Sequence, residues 1–128
     1  ALDTVQICPP RIGQLAVAAT MAATLAWREE NRRAMAARAQ AFQAVMEKLP
    51  DWSLGSIGAY FAYVRPPPHR GGAAALAQEL ATLHGVLTLP ASYFGPEQED
   101  WLRVAFANAD EQELQALGER IRTALSSR

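Results

Sequence analysis

The chain has 128 residues, half of them hydrophobic and a fifth charged, and a formal net charge of −1. This suits one globular domain that buries roughly two thirds of its unfolded surface. It provides no basic field to hold nucleic acid or an anionic membrane.

A single cysteine, Cys8, leaves no internal disulfide and points to a reducing compartment. No apolar run has the length of a membrane span, and the opening residues lack the basic and apolar regions of a signal peptide. A cytoplasmic protein is expected. Residues 1–11 read as an extended connector entered from upstream, since Cys8-Pro9-Pro10 stops regular structure. Residues 12–128 then form a small C-terminal α+β domain.

From Arg11 to Leu49 the pattern is helical. Leu15, Ala18, Ala19, Ala22 and Leu25 share one helix face. The charged cluster Arg28–Arg33 is expected to bend or break the run. Met35, Ala39, Phe42, Met46 and Leu49 continue it over about Asn31–Leu49, and Pro50 ends it. Gly58–Arg65, rich in Tyr, Phe and Val, predicts a strand that Pro66-Pro67-Pro68 terminates. An Ala- and Leu-rich helix follows Gly71-Gly72 and ends near His84, with Gly85 as its C-cap. Val86–Leu89 predicts a short strand, Pro90–Pro96 a turn-rich loop and Trp101–Ala107 another strand. Asp110 and Glu113 have capping-box spacing for a last helix, whose buried stripe is Leu114, Leu117, Ile121 and Leu125. The fold class is α+β: long N-terminal helices, a sheet of about three strands and two further helices.

Arg103 stands out in the Trp101–Ala107 strand. Alternation places it with Trp101, Ala105 and Ala107 on one face, and Leu102, Val104 and Phe106 on the other. Its guanidinium stays charged and matches a carboxylate with two parallel hydrogen bonds. That carboxylate is either an internal Asp or Glu or a ligand, and pattern alone does not choose. Other chemistry finds little support. His69 and His84 lack ligand-spaced partners and suit solvated or capping roles; Cys8 has no histidine near it. No glycine-rich phosphate loop precedes a helix. Glu97, Glu99 and Asp100 read as a solvated acidic loop, and Trp101 and Phe106 as core.

The stretch Gly85–Pro96 followed by Trp101–Asn108 resembles the C-terminal signature of class I/II aminotransferases, enzymes of fold type I that depend on pyridoxal phosphate. That signature is a strand, a Pro-Gly-x-x-Phe-Gly-like loop and a Leu-Arg-x-x-Phe-Ala strand. Here Ala91 replaces the usual glycine, a mild change where a positive φ is not needed. Gly58–Phe61 resembles the preceding family strand, and Pro9–Ala19 the start of the domain-bridging helices.

The resemblance implies that Arg103 grips the substrate α-carboxylate and that Tyr93 and Phe94 flank the active-site mouth. It implies amino-acid and 2-oxo-acid substrates, pyridoxal phosphate in the full-length protein and a homodimer. The Schiff-base lysine and phosphate site would lie in the large domain. Lys48, the only lysine here, suits a favourable charge near a helix C-terminus. The stretch by itself is therefore expected to bind no cofactor and to be inactive. Related reactions, among them those of lyases, decarboxylases and acyl-transferring synthases, share the arginine. Alternatives outside catalysis are a small-molecule-binding α+β module and the aminotransferase-like end of a transcriptional regulator.

Overall fold

The computed structural model describes residues 10–126, with side chains as far as Ala124. Most of the expected connector, and Cys8, lie outside the described residues; Arg11 already begins a helix. The chain divides into two compact units, residues 1–34 and residues 35–128. No helix among the described residues is long and apolar enough to cross a membrane.

In the first unit, helix α1 (Arg11–Thr20) has the expected apolar period but buries no residue; Ile12, Leu15 and Val17 are exposed. Helical spacing therefore gives the conformation of this stretch without giving it a core. Helix α2 (Leu25–Glu47) starts after a turn at Met21–Thr24. The Thr20 and Thr24 hydroxyls donate to carbonyls one turn back, and Arg28 Nη2 donates to the Met21 carbonyl at 2.9 Å. The expected break at Arg28–Arg33 does not occur. Glu29 instead receives hydrogen bonds from Arg32 and Arg33 at helical spacing, which support a continuous helix. The Arg32 bond, countered in part by desolvation, lowers the Glu29 carboxyl below its usual range.

The second unit holds the sheet. Strands β1 (Ser53–Gly58), β2 (Phe61–Arg65), β3 (Leu89–Pro90) and β4 (Leu102–Val104) are antiparallel in the order β1-β2-β4-β3. Four strands form, against about three expected. The predicted Gly58–Arg65 strand is the second arm of a hairpin that turns at Ala59-Tyr60, where Ala59 takes φ 48°. Ser53–Ile57 escaped the sequence pattern because its mixture of Ser, Gly and two aliphatics resembles loop. Gly55 is the unpaired residue where the β1–β2 register shifts. A Cβ there would overlap Trp101 Cζ3, so the indole's seat requires glycine. The predicted Val86–Leu89 strand shrinks to Leu89–Pro90.

Ala62, Val64 and Leu102 point from the sheet into one core. Phe42, Val45 and Met46 of α2, and Leu76, Ala77 and Leu80 of helix α3 (Gly72–His84), meet them there. Helix α4 (Glu111–Ser126) adds Leu114, Ile121 and Ala124; Leu125 lies beyond the described side chains. Phe42 and Phe106 rings sit 5.9 Å apart. Both predicted helix signals hold. Gly85 caps α3 at φ 62°, and Asp110 and Glu113 exchange bonds of 2.8 and 2.9 Å at the start of α4. Within the second unit the helices pack on one face of the sheet and leave the other open.

Candidate functional site

Arg103 lies on the open face. It is the middle residue of β4, opposite Tyr63 of β2 on one side and Leu89 of β3 on the other. The alternation predicted for this strand holds from Leu102 to Val104, with Leu102 fully buried and Arg103 half-buried. It then fails. Ala105 turns the chain into a short 3₁₀ segment, Phe106–Asn108, which carries Ala107 into the core. Arg38 Nη1 fastens this segment by donating to the Ala107 carbonyl at 2.6 Å.

Two aromatic rings lie against Arg103. Its guanidinium carbon sits 3.6 Å from the Phe94 ring centroid and 4.3 Å from that of Phe61. Among the described residues no Asp or Glu forms an ion pair with it. The acidic loop supplies none: Asp100 pairs with Arg65 at 2.6 Å, while Glu97 and Glu99 are exposed. Within the described residues, then, no internal carboxylate answers Arg103. The donors of a charged, bidentate group remain available beside open solvent.

Phe94 reaches Arg103 because of how its loop is seated. Pro90 leads into a 3₁₀ turn, Ala91–Tyr93, which the Ala91 N–H anchors to the Trp101 carbonyl at 2.9 Å. The Phe94 N–H then donates to the Ala91 carbonyl at 2.9 Å. Ala91 is fully buried and has no positive φ, so alanine fits where the resembling loops carry glycine. Tyr93 and Phe94 part company. Phe94 lies on the arginine, whereas Tyr93 is 73% exposed. Phe61 was not singled out by the sequence; only the β2–β4 register brings it to this face.

Beside Arg103, Gly55, Ser56, Tyr63, Gln98 and Trp101 line a shallow cleft on the same side of the sheet. Trp101 is half-buried there rather than in the core. His69 is neither solvated nor a cap. Its mostly buried ring pairs with Glu79 at 3.0 Å, a contact that the folding of the proline run onto α3 creates. Among the described residues no group of three or more His, Cys, Asp or Glu is arranged to hold a metal ion. Lys48 is exposed near the end of α2, beside Gln115, Glu119 and Arg122 near α4, among the helices and away from the open face.

The geometry defines an α+β domain whose sheet presents a guanidinium framed by aromatic rings and, among the described residues, without an acidic partner. The family model of aminotransferase class I and II matches residues 3–121. The chain belongs to that family. In fold it is similar to an aromatic aminotransferase from Pyrococcus horikoshii OT3, with TM-score 0.59 and 20% identity over 80% of this chain. The chain spans 28% of that structure's length. No curated relative matches it.

Proposed function

We propose that this chain is the small C-terminal domain of a pyridoxal-phosphate-dependent aminotransferase, which moves an amino group between an amino acid and a 2-oxo acid. Its part in that reaction is to bind the substrate α-carboxylate through Arg103. The observation that carries this is a guanidinium on an open face with no acidic partner among the described residues. A fork that binds both carboxylate oxygens fixes the substrate's position and the directions of the bonds at its α-carbon. A lysine would supply charge without that orientation.

The described residues do not fit the cofactor. Bound pyridoxal phosphate supplies an electron sink and takes a lysine partner and a phosphate cradle. Lys48, exposed among the helices, meets neither need. Those groups belong, in this proposal, to a large domain of the same protein, which functions as a homodimer; the 128-residue stretch alone does not turn over.

Arg103→Lys in the full-length enzyme tests the carboxylate role. Loss of one charge-assisted bond of ~2–3 kcal/mol lowers kcat/KM by roughly two orders of magnitude. Steady-state kinetics near those of the parent enzyme would remove Arg103 from substrate binding.

A further inference from the structure

We propose that Phe61 and Phe94 are positioning residues for Arg103, holding its guanidinium flat so that its N–H edges stay free for an incoming carboxylate. The inference rests on the carboxylate role given to Arg103 above and adds the means by which that role is prepared.

The distances set the orientation. With the guanidinium carbon 3.6 Å from the Phe94 centroid, the group has to lie along the ring. Were a nitrogen aimed at the ring, it would stand ~1.3 Å closer than the carbon, the length of a resonance C–N bond, and inside van der Waals contact. Stacking through the face leaves the donors in the guanidinium plane, pointing away from that ring.

No polar contact among the described residues fixes this head group. Arg103 has neither an ion pair nor a side-chain hydrogen bond there, so the two rings are its restraints. The choice of restraint matters chemically. A carboxylate neighbour would consume the same donors that the substrate needs and neutralise the charge. A ring quadrupole attracts the cation and uses no N–H.

The rings are anchored independently. Phe61 is held in the hairpin opposite Gly58, and Phe94 by its bond to Ala91, which itself bonds to the Trp101 carbonyl. Phe61 and Phe94 are 36% and 43% exposed, so packing of the core does not account for them. Two large apolar rings at the solvent edge find their principal described charged contact in one cation.

The test uses the full-length protein carrying Phe94→Leu, Phe94→Tyr, Phe61→Leu or Arg103→Lys, with propionate as the probe. Two signals are followed: propionate binding through its carboxyl 13C resonance, and the Arg103 Nε–Hε resonance. Phe94→Leu is expected to weaken propionate about fivefold to tenfold, the size of one half-exposed cation–π contact. It also shifts the Hε signal out of the ring current and speeds rotation about the Nε–Cζ bond. Phe94→Tyr, which keeps the ring, restores both signals. Should Phe94→Leu not fold, Phe61→Leu carries the same expectation. Parent-like propionate binding and an unmoved Hε signal in the leucine variants, alongside lost binding in Arg103→Lys, overturn the positioning role and leave the carboxylate role standing. Parent-like binding in Arg103→Lys overturns the carboxylate role itself, and the inference with it.

Discussion

Ala91 occupies a position where the structure sets limits in both directions. Its side chain is fully buried, its N–H bonds to the Trp101 carbonyl and its carbonyl accepts from Phe94, both at 2.9 Å. Removing the methyl in Ala91→Gly forfeits ~0.8 kcal/mol of apolar burial. The freer backbone of the unfolded glycine chain costs a further ~0.4–1 kcal/mol, because nothing here needs a positive φ. Together these come to about 1–2 kcal/mol. Adding two methyls in Ala91→Val forces atoms into a site with no free surface, at ~1–3 kcal/mol. Both variants are therefore expected to be less stable than the parent. Urea unfolding followed by the fluorescence of Trp52 and Trp101 measures the free energies. In a thermal scan, each kcal/mol is worth ~4–8 °C for a unit of this size. A glycine variant as stable as the parent would show that the loop has no need of the alanine side chain. A stabilised valine variant would show that its seat is not close-packed.

Two further outcomes concern the scaffold. Asp110→Ala and Glu113→Ala each remove one arm of a reciprocal pair of bonds. Asp110→Ala costs ~1 kcal/mol by loss of the cap, and a double-mutant cycle gives a coupling of at least ~0.5 kcal/mol; additive effects would mean that the two arms act separately. Gly118→Leu drives α4 from α2, since a Cβ alone would stand 3.0 Å from Val45 Cγ1. It destabilises by more than ~2 kcal/mol, and a parent-like denaturation midpoint would show that the two helices part at little cost.

Local chemistry made several features legible. Asp110 and Glu113 cap a helix three residues apart, Gly85 closes one in the left-handed region, and Pro66–Pro68 stop a strand; each depends on neighbours along the chain. Recognising the loop and strand around Arg103 likewise needed only contiguous residues. What the pattern misreads turns on pairing rather than on composition. The charged run Arg28–Arg33 looks like a break by composition, but Glu29 pairs with Arg32 and Arg33 one helical turn on and keeps the helix continuous. The strand Ser53–Gly58 has a weak pattern of its own and exists through its ladder with β2. His69 follows three prolines, a solvated setting by pattern, and is mostly buried because α3 brings Glu79 to it.

The site divides in the same way. By itself the sequence determined that Arg103 is a permanent cation within an extended segment, because guanidinium chemistry and the period of a strand are properties of single residues and their neighbours. Whether an internal carboxylate or an outside one is its partner could not be read there. Tertiary structure decided that Asp100 takes Arg65, and that β2 and the Ala91 turn bring two rings onto Arg103. The β2–β4 register joins residues more than thirty positions apart, and loop seating brings Phe94 back across nine; such contacts arise only when the sheet is assembled.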